Sequence, residues 1–115
     1  MSPSVSGGAE ACLLAALRGS DPAWAALIAS LEEPVLRVAR RWARGLPADL
    51  QEEAAHEAWM ATARATPADF VTSGQSALAF VASRVPNAVQ RVRAAYRAPG
   101  TRSRRRRTAP RSAAE

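Results

Sequence analysis

One cysteine, one histidine and no lysine occur among the 115 residues of this chain. A single thiol, Cys12, excludes an intramolecular disulfide and suits a reducing compartment, where a cysteine in an apolar stretch serves as packing. No run approaches the roughly 18 apolar residues that cross a bilayer. The opening MSPSVSGGAEAC also lacks the charged start and long apolar stretch of a secretory signal. The expectation is a cytoplasmic protein with no membrane partner. A glycine-rich phosphate loop and an H-E-x-x-H motif are missing, and His56 has no Ser or Cys nucleophile near it in sequence. The chain is therefore read as a non-enzyme, with no catalytic residue and no cofactor.

What is present is arginine, and its placement is uneven. All sixteen basic residues are Arg, and the net charge is +6. Residues 1–75 carry six Arg against nine Asp and Glu, a balance of −3, whereas residues 76–115 carry ten Arg against Glu115 alone, a balance of +9. A chain with two electrical ends of this kind commonly sets a basic face or arm near phosphate and keeps acid for protein contact or solubility.

The length fits one domain, and the apolar pattern is helical throughout, with no strand signal and no repeat. A first helix is expected from Ala9 to Arg18, with Leu13, Leu14 and Leu17 on one side and Gly19 as its terminator. Ser20, Asp21 and Pro22 signal a second start. From Pro22 to Arg44, Trp24, Leu27, Ile28, Leu31, Val35, Val38 and Trp42 recur at three- and four-residue steps, the stripe of a long helix. Pro34 is expected to kink or split it, and Gly45 and Pro47 to end it. Asp49 then opens a third helix in a capping-box-like D-L-Q-E. The segment ATPADFVTSGQ, residues 65–75, reads as a loop anchored by Phe70. A basic helix follows over residues 76–97, striped by Leu78, Val81, Val85, Val89, Val92 and Tyr96 and bent at Pro86. The fold class is thus an all-α bundle of about four helices over residues 9–97. Residues 1–8 are read as a flexible start and residues 98–115 as a disordered basic tail.

The third helix contains ADLQEEAAHEAW, in which Glu52, Glu53 and Glu57 surround His56. At 100° per residue these four spread over about 140° of surface, opposite Leu50, Ala54, Ala58 and Ala61. Glu53 and His56 form an E-x-x-H, the spacing used by di-iron bundles. That chemistry needs a second such pair from another helix, which a chain with one histidine lacks, so no metal is assigned. Two readings stay open on spacing alone: a solvated face that helps the helix start, or a docking surface for a basic partner. The run Arg104, Arg105, Arg106 and Arg107 likewise reads either as a solvated tail or as a nonspecific grip on nucleic acid through counterion release.

Three stretches in order carry a resemblance: LLAALRGSDPAWAALI with VLRVARRW, then DLQEEAAHEAW, then ALAFVASRVPNAVQRVR. Together, over roughly residues 11–97, they resemble region 2 of the sigma-70 family of bacterial RNA polymerase sigma factors, and within it the extracytoplasmic-function group. The resemblance implies a transcription initiation factor. Glu52, Glu53, His56 and Glu57 would dock on the clamp helices in the largest subunit of core RNA polymerase. His56 replaces the usual Gln, and an imidazole keeps a hydrogen bond available there. The resemblance also implies contact with promoter DNA at the opened minus-ten element by Phe80, Arg84, Asn87, Arg91, Arg93 and Arg97, with residues 70–75 bordering a base pocket. Pro86 stands where the family has Arg, and the chain after Asn87 is one residue short, which turns later side chains by about 100°. Region 4 of the family has no counterpart in the sequence, so a separate partner carrying region 4 is expected. The alternative is a sigma-like decoy or adaptor that binds polymerase or a sigma partner without reading DNA. A third reading, a small helical nucleic-acid-binding protein unrelated to polymerase, rests on the Arg-rich end alone.

Overall fold

The computed structural model describes the backbone of residues 2–97 and the side chains of residues 8–97. The expected basic tail, with Arg104 to Arg107, lies outside the described residues. Six helices follow one another: α1 (Ser2–Leu17), α2 (Asp21–Trp42), α3 (Ala48–Ala63), α4 (Pro67–Ser73), α5 (Ala77–Ala82) and α6 (Val85–Arg97), and no strand occurs among the described residues. Four of them are long, in agreement with an all-α bundle of about four main helices.

The start of the chain differs from expectation. Helix α1 begins at Ser2 rather than Ala9. Pro3 stands in the first turn, where its missing N–H has no intrahelical partner to lose. Gly19 takes a positive φ of 106° to close the helix, and Ser20 then caps α2 by accepting a bond from the Ala23 N–H at 3.2 Å. Cys12 donates through Sγ to the Ala23 carbonyl at 3.4 Å, a packing role at the α1–α2 corner.

Helix α2 runs through Pro34 as one element instead of splitting. Leu27 and Val35, both fully buried, hold the segments before and after Pro34 against the same core. Trp42, assigned above to the buried stripe, is 53% exposed, and Ala39 and Ala43 occupy the core in its place. At the α2–α3 corner Gln51 donates through Nε2 to the Ala43 and Leu46 carbonyls at 3.3 and 3.1 Å, satisfying acceptors that the helix end leaves open.

The expected capping box at Asp49 does not form. Pro47 is the N-cap of α3 and makes no side-chain cap bond, and Asp49 lies inside the first turn, where its charge opposes the helix dipole favourably. The box occurs one helix later. Thr66 accepts from the Asp69 N–H at 3.1 Å while the Asp69 carboxylate accepts from the Thr66 N–H at 3.0 Å. That pair, with Pro67 in the first turn and Gly74 in a left-handed C-cap, turns the expected loop into α4.

The basic helix is two helices. Pro86 has no N–H to offer the Ala82 carbonyl, and the chain breaks at Ser83 and Arg84 between α5 and α6. Ser76 caps α5 through the Ala79 N–H, and Glu10 reaches across from α1 to accept the Ala77 N–H at 2.8 Å. Helices α2, α3, α5 and α6 pack around one core that includes Leu27, Val35, Ala54, Ala58, Phe80, Val81, Val85 and Val89, and α1 closes it through Leu13.

Candidate functional site

Helix α3 lies between α2 and α6 and divides the acidic stretch between two edges. Glu52 and His56 face α2. There they line a groove of about 670 Å³ together with Asp21, Trp24, Ile28, Glu32 and Leu36 of α2 and Ala55, Trp59, Met60 and Ala63 of α3. The floor is apolar. Trp24 and Trp59 meet edge to face with ring centroids 6.5 Å apart, and Met60 is 47% exposed at the rim. Asp21, Glu32 and Glu52 place carboxylates around this floor, and none of the three enters a salt bridge among the described residues.

Glu57 turns the other way. Its carboxylate lies 3.6 Å from the Arg91 guanidinium of α6, an exposed pair. Glu53, next to the groove set in sequence, is half-buried and does not line the groove. Of the four residues assigned to polymerase docking, two line the groove and one pairs with α6. Glu52 and His56 share the groove, and Glu57 belongs to the α3–α6 seam. The groove's apolar half was not recognised in the sequence, although Trp24, Ile28 and Leu36 recur at helical spacing. Periodicity alone assigns such residues to a closed core.

The residues assigned to DNA are also dispersed. Phe80 is 2% exposed, with its ring against Phe70 at 5.0 Å on one side and the Arg84 guanidinium carbon 4.0 Å from its centroid on another. This corrects its expected place on a base-binding surface: a ring packed in the core cannot stack on a base without unfolding that packing. Phe70, expected to border a base pocket, is likewise buried. Arg84 stacks on Phe80 and donates to the Phe80 carbonyl at 2.9 Å. Arg91 pairs with Glu57, and Arg93 donates through Nη2 to the Trp42 and Arg44 carbonyls, both at 3.4 Å. Asn87 and Arg97 are exposed on α6. No three His, Cys, Asp or Glu side chains converge as a metal site among the described residues. Among the described residues no helix is long and apolar enough to cross a membrane.

Comparison with family models, with curated proteins and with solved structures finds no match.

Proposed function

We propose that this protein is a docking module for core RNA polymerase, related in design to sigma region 2, and that it acts in transcription initiation with a separate partner supplying region 4. The observation that carries the reading is the groove between α2 and α3. An apolar floor bounded by carboxylates fits a helix that presents apolar side chains flanked by arginine or lysine, the chemistry expected of the clamp helices. Trp24, Trp59, Leu36 and Met60 would supply the buried anchors. Asp21, Glu32 and Glu52 would steer encounter and set register. Reversing Glu32 and Glu52 to Arg tests the reading in a binding assay with purified core polymerase at low ionic strength. The wild-type chain should associate, the double reversal should abolish association, and Glu57→Gln should leave it nearly unchanged. Failure of the wild-type chain to associate would end the proposal.

A second reading is favoured by the α6 side. Phe80 is in the core, and Arg84, Arg91 and Arg93 are engaged within the chain. An adaptor or decoy that docks without reading the minus-ten element needs nothing more from these residues. Reconstitution of polymerase with this chain and candidate region 4 partners separates the two: promoter opening supports the initiation factor, and docking without opening supports the adaptor.

A further inference from the structure

The groove between α2 and α3 holds carboxylates with no cation beside them. Asp21, Glu32 and Glu52 line it and no Arg does, in a chain with sixteen Arg. Its apolar floor includes Trp24, which is half-buried. Guanidinium is the side-chain group that suits both surfaces. It pairs with carboxylate, stacks on indole, and hangs on an apolar stem that can cover such a floor.

The same chain carries that chemistry just past its last helix. Residues 98–115 hold Arg102, Arg104, Arg105, Arg106, Arg107 and Arg111 against Glu115 alone, and no apolar side chain larger than Pro. Helix α6 points this segment toward one end of the groove. Arg91 pairs with Glu57 of α3, and two residues later Arg93 donates to the Trp42 and Arg44 carbonyls at the α2–α3 corner, so α6 runs toward the first turn of α3. Glu52, in the second turn of α3, and Leu36, the last lining residue of α2, mark the end of the groove nearest that corner. The seven residues from Arg97 to Arg104 reach up to roughly 23 Å when extended. Passing from α6 across α3 takes about 10 Å.

We infer that residues 102–111 of this chain occupy the groove, with guanidinium groups on Glu32, Glu52 and the Trp24 ring, and that a basic partner must displace them to dock. Occupancy of the groove is a property of the chain alone. Its consequence, competition with polymerase, rests on the docking proposal.

The test is paramagnetic labelling of the full chain. Cys12→Ser keeps a donor for the Ala23 carbonyl and removes the one native thiol, and Ala109→Cys then takes a nitroxide. At low ionic strength the label should broaden the indole N–H resonances of Trp24 and Trp59. The broadening should fade in about 1 M salt, where the screening length falls to about 3 Å. It should vanish when Arg104, Arg105, Arg106 and Arg107 are replaced by Ser, and in Glu32→Arg with Glu52→Arg, with far-UV circular dichroism verifying that each variant is folded. An isotope-enriched chain without the label, mixed with labelled chain, should keep both resonances sharp. Sharp resonances in the labelled parent, broadening that survives the charge reversal, or broadening in the mixture, which would make the occupant a second copy, would each overturn the inference. In the binding assay with purified core polymerase, the four-serine variant should bind about tenfold more tightly than wild type if the groove is free a tenth of the time. Equal binding would overturn the competition and leave the occupancy standing. Failure of both chains to bind would end the docking proposal, and the competition with it, while the label still decides the occupancy.

Discussion

The edge of α3 that faces α6 is closed, whereas the edge that faces α2 is open around two tryptophans. On the closed side α3 packs on α6, with Ala54 and Ala58 fully buried and Val85, Val89 and Val92 buried on the partner helix, and the seam ends in the Glu57–Arg91 pair. Small side chains let two helix backbones approach until no space remains. On the open side Trp24 and Trp59 contact each other edge to face and leave a groove whose rim carries Asp21, Glu32, Glu52 and His56. One acidic run, four residues in twelve, thus serves two ends. Glu57 is spent on the closed seam, and Glu52 remains at the rim of the groove, where a basic partner could meet it.

Substitutions break this contrast to different degrees. The largest effect is expected from Trp59→Ala, which removes a 9% exposed indole and the floor of the groove. A loss of about 4 kcal/mol should appear in urea denaturation. Ala58→Leu attacks the closed edge instead, forcing extra methylenes into a fully buried position, and should cost about 2 kcal/mol in the same experiment. If the two edges were packed alike, leucine would be tolerated at Ala58.

A third change touches neither edge and calibrates the scale. Thr66→Ala removes the capping box of α4 and should cost about 1 kcal/mol. The Thr66 backbone N–H, and then its hydroxyl, hold the Asp69 carboxyl below its ordinary value of 3.8. A group whose folded-state value is depressed stabilises the fold above its unfolded value, and that contribution disappears as the pH falls through the lowered one. Asp69→Asn should therefore lower the neutral and alkaline plateau of a stability–pH curve and flatten its slope below about pH 4. The smallest effect is expected at the end of the closed seam. Glu57→Gln removes an ion pair whose side chains are 36% and 56% exposed, and thermal denaturation should register less than about 0.5 kcal/mol, falling further with added salt.

Much of the helical framework was legible in the sequence. The signals at Gly19, Ser20, Pro22 and Gly45 act at short range, through φ and capping bonds that neighbouring residues complete, and each does what its chemistry predicts. Two local signals point away from the structure. Thr66-Pro67-Ala68-Asp69 is as good a start as Ser20-Asp21-Pro22, but the Ser and Gly after it suggested a loop. Asp49 carried an apparent cap, but it lies two residues past the N-cap of α3 at Pro47. Glu10 could not have been found at all, since its acceptor role for the Ala77 N–H joins residues 67 apart.

The amino-acid sequence by itself determined an all-helical chain, its turns, and the division between an acidic first part and a basic last part, because periodicity, capping and charge are properties of neighbours. Which side chains share a surface was decided only by packing. Helical spacing treats Trp24 and Trp42 as equivalent stripe residues, and the resemblance to sigma region 2 makes Phe80 available to a base. The arrangement of α2, α3 and α6 sets Trp24 and Trp59 beneath a groove, leaves Trp42 in solvent, and encloses Phe80 between Phe70 and Arg84. Those outcomes depend on where helices far apart in sequence come to rest, which no local pattern encodes.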